Sequence, residues 1–259
     1  MIPPELRTVN VTRYVTPLRE GGSLPAIVDG DDDFPYVLKF RGAGQGRKAL
    51  IAELIGGELA RGLGLRVPEL VFMELDDSFS KTEPDEEIQD LLKFSVGLNL
   101  GLHYLAGAIT YDPLVSVATP LEASLVVLLD AVITNIDRTV RNPNLLNWKK
   151  ELWLIDHGAS LYFHHAWTDW EAHAHRPFPA IKDHVLLPKA TELPAAAAQL
   201  RSRLTPDFVA TVVELLPDDW LVDAGNPQLP AAKRQVYTQY LTIRLAQLDA
   251  LTKAAENAR

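Results

Sequence analysis

The chain has 259 residues, 47% of them hydrophobic and 23% charged, with no cysteine and a formal net charge of −9. That length and balance suit one large or two small globular units with a substantial core. The acidic excess argues against a general nucleic-acid binder or a protein that docks on anionic membranes, and the lack of cysteine excludes disulfides, thiolate zinc sites and cysteine nucleophiles.

In chain order, residues 9–14 alternate, 24–28 are short and apolar, and 36–40 follow the turn-rich Asp29-Gly30-Asp31-Asp32-Asp33; all three read as strands. Residues 47–63 carry apolar side chains at helical spacing and end at Gly62-Leu63-Gly64. A strand is expected over 67–74, an acidic surface excursion over 76–90 and a further strand over 91–96, after which Gly97 and Gly101 mark a change of texture. From Tyr111 onward helical patterns dominate: a buried helix over 121–133, irregular connections over 177–188 and 216–230, and a closing amphipathic helix over 233–255. A sheet with one helix followed by a mostly helical half predicts an α+β fold of two lobes, residues 1–96 and 97–259, with a cleft between them. No run of about 18 apolar residues and no basic-then-apolar N-terminal pattern appears, so a cytoplasmic protein is expected.

The residues that point to chemistry lie in Asn135-Ile136-Asp137-Arg138-Thr139-Val140-Arg141-Asn142 and, further on, Ile155-Asp156-His157-Gly158. Phosphoryl transfer from Mg-ATP needs a base to orient a hydroxyl and oxygen ligands for magnesium; Asp137 suits the first role, Asn142 and Asp156 the second. Residues 145–148 and 152–155 flank the polar Lys149-Lys150-Glu151 and read as a hairpin. Antiparallel pairing about that turn sets residue 156 opposite 143 or 144, beside Asn142. Asp, Asn and Arg clusters also build ordinary turns and caps, so it is the order of helix, loop, hairpin and Asp-x-Gly that carries the reading.

Upstream, Lys39 sits among apolar strand residues and needs an anionic partner if it turns inward. Glu53, which shares a helix face with Ala49, Gly56 and Ala60, is the expected partner, with Glu58 as a weaker substitute; an outward Lys39 is the competing expectation. Gly21-Gly22-Ser23 lies between the first two strands, where glycines free backbone amides to meet a phosphate, although Gly-Gly-Ser is also an ordinary turn. Gly42-Ala43-Gly44-Gln45-Gly46 resembles a dinucleotide fingerprint, but Arg47 stands where the last glycine is required, and the P-loop spacing fails too. His164, His165, His173, His175 and His184 lack zinc-site spacing and are expected at the surface. Adenine is expected near Leu98 to Leu102, with Leu98 and Leu100 lining it.

With these motifs in hand, the chain resembles the HipA-like kinases, an atypical kinase family related in fold to the phosphatidylinositol kinases. Asn135, Asp137 and Asn142 match the family's Asn-x-Asp…Asn loop, and Ile155-Asp156-His157-Gly158 is similar to the magnesium motif of the lipid-kinase branch. The resemblance runs from about residue 18 to 161 and implies a protein-kinase-like fold. It also implies ATP and Mg2+ as cofactors, Asp137 with Arg138 in the catalytic loop, Asn142 and Asp156 on the metal, and Lys39 on phosphate oxygens. A protein Ser or Thr is the implied acceptor, with Ser23 a conceivable site of self-modification. A small-molecule or lipid-headgroup kinase and a binding-only pseudokinase stay open as alternatives. No direct nucleic-acid or membrane partner is expected, and no sequence feature supports an antitoxin-like partner.

Overall fold

Strands that bury one face and expose the other must cover the apolar face, and the first five do so by closing on one another. The computed structural model describes residues 5–18, 24–115, 118–222 and 228–259. Strands β1 (Thr8–Pro17), β2 (Ala26–Gly30), β3 (Pro35–Lys39), β4 (Leu70–Leu75) and β5 (Gly97–His103) form a closed barrel in the order β1-β2-β3-β5-β4. Adjacent strands are antiparallel except β1 and β4, which run parallel with Thr8 opposite Phe72 and Asn10 opposite Glu74. That parallel pair closes the ring and leaves no open sheet edge between them. Val9, Val28, Tyr36, Leu38, Val71 and Met73 fill the interior.

Three helices interrupt the barrel. Helix α1 (Gly46–Gly62) covers its outer face and is buried continuously over residues 50–60, because the barrel lies on one side and the helical half on the other. The expected strand over 91–96 is instead the end of a helix. After the short α2 (Ser78–Thr82), helix α3 (Glu86–Phe94) begins at Asp85, whose side chain accepts from the amides of Glu87 and Ile88. Its buried residues, Ile88 and Leu92, are one helical turn apart, a spacing that a strand cannot use. The strand follows as β5, entered through Gly97 at φ +96°.

The rest of the chain is mainly helical. Helix α4 (Pro120–Ile133) is capped by Thr119 and lies in the centre of the larger core. A small sheet of β6 (Ile109–Thr110), β7 (Leu145–Trp148) and β8 (Glu151–Leu154) follows the expected hairpin. Its turn residues Lys149 and Lys150 both have positive φ, 52° and 66°, which matches the twist of a two-residue hairpin. Beyond α5 (Trp170–Ala174) come α6 (Leu193–Arg203), α7 (Pro206–Glu214), α8 (Asp218–Leu221), α9 (Pro230–Ala246) and α10 (Leu248–Ala258). The single helix expected over 233–255 is therefore two; the break at Gln247 is held by its side-chain amide, which donates to the Ala174 carbonyl at 2.8 Å. Among the described residues no helix is long and apolar enough to cross a membrane.

Gly101 of β5 faces the barrel interior, where a Cβ would stand 2.5 Å from Met73 Sδ and 3.0 Å from Val71 Cγ2. Gly101→Val raises strand propensity, yet overpacking of this kind costs about 1–3 kcal/mol, more than propensity returns. Urea unfolding is therefore expected to show a lower midpoint at an unchanged slope.

Candidate active site

The site begins with the alternation of β3. Tyr36 and Leu38 point into the barrel, so Val37 and Lys39 point out, but that outer face is covered by α1 rather than by water. The Lys39 side chain is 14% exposed, and its Nζ lies 2.7 Å from Glu53 Oε2 and 2.6 Å from Asp156 Oδ1. Glu58 is not its partner; it pairs with Arg61 one turn along the helix. Burial opposes the charge on Lys39, but Asp156 and Glu53 outweigh it and hold the ammonium above the usual lysine range. Glu53 is fully buried, and burial is again the largest influence against its charge. Lys39 and the hydrogen bonds to the carboxylate nevertheless hold it well below the usual carboxylate range.

Glu53 has a second task. Its Oε2 also accepts the backbone N–H of His157 at 2.7 Å, so one carboxylate on α1 fixes both the β3 lysine and the residue after Asp156. The approach is close because residue 56 is glycine: a Cβ there would stand 2.6 Å from the His157 Cβ. Asp156 itself has φ +55° and a side chain 47% exposed, so its carboxylate opens to solvent while it touches Lys39.

Asp137 is delivered by a different device. Helix α4 stops at Thr134, whose left-handed φ of 57° turns the chain out of the helix. Asn135 bolts the turn: its amide nitrogen donates to Asp130 Oδ1 at 3.2 Å and its carbonyl oxygen accepts the Asp137 N–H at 3.1 Å. Beneath the loop lies a buried ion pair, Arg138 Nε to Asp130 Oδ2 at 2.6 Å, both side chains at 0% exposure. Arg138 also donates to the carbonyls of Asn144 and Ile155, which ties the loop to both hairpin strands. Arg138 is therefore not a group that reaches substrate, as its place among the expected catalytic residues implied; it positions the loop.

His184 completes this support with Nε2 3.0 Å from Asp130 Oδ2. Its Nδ1 accepts the Leu186 N–H, so the ring proton sits on Nε2 and donates to Asp130. Burial works against ionised Asp130, but Arg138 and His184 hold it well below the usual carboxylate range. The sequence marked Asp130 only as an acid in an otherwise apolar helix, a placement that demands a partner. Nothing in the sequence linked it to His184, 54 residues away. The expectation of surface histidines also fails at His184 and His164, both buried. Burial, with His165 and Lys48 nearby, pushes His164 well below the usual histidine range.

Asn142 donates Nδ2 to Asp137 Oδ2 at 2.8 Å, which leaves its Oδ1 for another partner. Asn144, absent from the expected set, donates to the same Asp137 oxygen at 3.3 Å. The hairpin register, Leu145 opposite Leu154 with Ile155 N–H to Asn144 O at 3.1 Å, carries residue 156 opposite 143. Asn142 and Asp156 thus belong to the same open end of the hairpin, as the turn implied. Gly21, Gly22 and Ser23 lie outside the described residues.

The expectation for adenine needs correction. Leu100 is fully buried in the middle of the sheet, paired to Lys39 on one side and Phe72 on the other, and Leu98 O accepts from Trp220 Nε1 at 3.0 Å. The Leu100 backbone is flanked by strands on both sides, and the Leu98 carbonyl is taken by Trp220. The connecting segment begins after β5, at Tyr104, not within 98–102.

A family model described as HipA-like kinase matches residues 11–247. The chain belongs to the HipA-like kinase family. Among solved structures it is similar to the Helicobacter pylori proinflammatory kinase CtkA, with 10% identity, a TM-score of 0.54, and 96% of this chain and 97% of that one covered. It is also similar to the Golgi casein kinase with Mn/ADP bound, with 14% identity, a TM-score of 0.50, and 98% and 73% covered. At such identities these likenesses establish a kinase-like α+β fold. Comparison with curated protein sequences gives no match.

Gly56→Ala is expected to force His157 off α1 and loosen the Glu53 contact, with a loss of about 1–3 kcal/mol in urea unfolding. The depressed Asp130 and Glu53 give a signed pH dependence. Their contribution is fully present above the unfolded carboxylate range, about pH 4, and is lost as pH falls toward their folded values. Asp130→Asn, which leaves buried Arg138 without its counter-charge, is expected to cost about 3–5 kcal/mol at neutral pH and to flatten the fall in stability below about pH 4, both read by urea unfolding across a pH series.

Proposed function

We propose that this protein is an ATP- and Mg2+-dependent kinase that transfers the γ-phosphate to a protein Ser or Thr hydroxyl, in a cleft between the barrel and the helical half. The observation that carries the reading is the Lys39 ammonium held between buried Glu53 and half-exposed Asp156, at 2.7 and 2.6 Å. A cation fixed so firmly beside an open carboxylate suits a phosphate chain with its metal ion. The ADP- and manganese-bound state of the Golgi casein kinase supports the same ligand class for this fold.

The donor set fits the metal. Asp156 and the free Oδ1 of Asn142 are hard oxygen ligands, and Mg2+ held there would neutralise the phosphate charge. Lys39 binds phosphate oxygens, and Glu53 keeps it oriented. Asp137, steadied by Asn142 and Asn144, accepts the proton of the acceptor hydroxyl as its oxygen bonds to the γ-phosphorus. The bond from that phosphorus to the β,γ-bridging oxygen breaks, and ADP leaves with the electron pair. We place the adenine ring against the segment that leaves β5 at Tyr104. We place the catalytic hairpin and the metal at one end of this cleft.

Asp137→Asn is expected to lower transfer of labelled γ-phosphate by at least about a hundredfold while the Mg-ATP-induced rise in Tm persists. Asp156→Ala is expected to remove the magnesium-dependent part of that rise. Stabilisation by Mg-ATP without transfer from the unaltered protein to lysate proteins, lipids or itself would make it a nucleotide-binding pseudokinase instead.

A further inference from the structure

The loop that carries Asp137 has an outer side that neither the nucleotide groups nor the buried ion pair uses. A cavity of about 590 Å³ opens there, lined by Val140, Arg141, Lys182, Asp183 and Pro188 among others. Its two walls are stitched together. Thr139 and His184 form an isolated antiparallel bridge, and the Val185 N–H donates to the Arg138 carbonyl at 3.1 Å. The 182–185 segment therefore moves with the catalytic loop, and His184 anchors both to Asp130.

The charge of the cavity is opposite to that of the protein. Against a net −9, Arg141 and Lys182 are exposed and make no hydrogen bond or ion pair with any described residue. Arg141 is the immediate neighbour of Asn142, whose amide holds Asp137 at 2.8 Å. Next to Arg141, Val140 is 67% exposed, an apolar side chain left on the surface of the loop.

We propose that this cavity is the acceptor-docking subsite and that it takes a protein segment with carboxylates close to the hydroxyl to be phosphorylated. The proposal rests on the kinase reading above. Two unpartnered cations brought together by the Thr139 to His184 bridge, with an exposed valine beside them, suit side-chain carboxylates spaced along a peptide, with an apolar residue on Val140. The net charge of −9 repels the extended anionic surface of a nucleic acid or a membrane, whereas a short peptide meets only the local cations.

The test measures docking by fluorescence anisotropy, so it does not depend on turnover. Three labelled peptides share one Ser-containing core flanked by Glu, by Gln or by Lys. The Glu peptide is expected to bind about tenfold tighter than the Gln peptide, and Lys182→Glu with Arg141→Glu is expected to erase that difference. Lys182→Glu by itself, outside the 137–142 loop, is expected to reduce the preference in part, which guards against a double variant that misfolds. Equal binding of the three peptides, an unchanged preference in both variants, or tighter binding of an RNA oligonucleotide or phosphatidylglycerol vesicles would overturn the proposal. The kinase reading fails separately, through absent phosphate transfer.

Discussion

The carboxylate of Glu53 is the constraint on which the arrangement depends. It has no exposure to water, and an ionised group in that position survives only with full compensation. Lys39 from the barrel and the His157 amide from the end of the hairpin supply it, so three elements distant in sequence are joined at one oxygen, Oε2. Helix α1 is thereby more than a cover for the barrel. Its burial on every side fixes Glu53, and Glu53 fixes Lys39 of the barrel and His157 at the end of the hairpin.

A second buried carboxylate, Asp130, plays the matching part beneath the loop that carries Asp137. It gathers Asn135, Arg138 and His184, and through Arg138 it reaches the carbonyls of Asn144 and Ile155. The loop bearing Asp137 is therefore braced from below by charge and from the side by backbone bonds. Left-handed residues Thr134, Asn144 and Asp156 stand where the chain must turn sharply around this network. Backbone strain of this kind persists where surrounding contacts over-determine it, and the buried ion pair and hairpin do so here.

The division of labour has a chemical logic. Groups that must keep their charge without touching a ligand, Glu53, Asp130 and Arg138, are buried. Groups proposed to meet the phosphates, the metal or the acceptor, Asp156, Asn142 and Asp137, remain partly or fully exposed. Buried pairs provide preorganised orientation, so little reorganisation is left for the moment of reaction.

Local features of the chain were enough to determine β1 to β4, helix α1, the buried helix α4 and the hairpin, because hydrophobic period and turn chemistry are short-range properties. The motif spacing around Asp137, Asn142 and Asp156 and the Lys39 to Glu53 pair were legible for the same reason: hairpin register and strand alternation convert sequence distance into direction. Helix α3 was misread as a strand because a short apolar run fits either period, and adenine was assigned to Leu98 and Leu100 because β5 was placed too early. Arg138 was placed with Asp137 in the catalytic loop, but its burial arises only when α4, the hairpin and the 182–185 segment close around it. His184, Asn144 and the close approach of His157 to Gly56 were likewise decided by tertiary structure. Each depends on packing between segments far apart in the chain, and no local period or spacing encodes that contact.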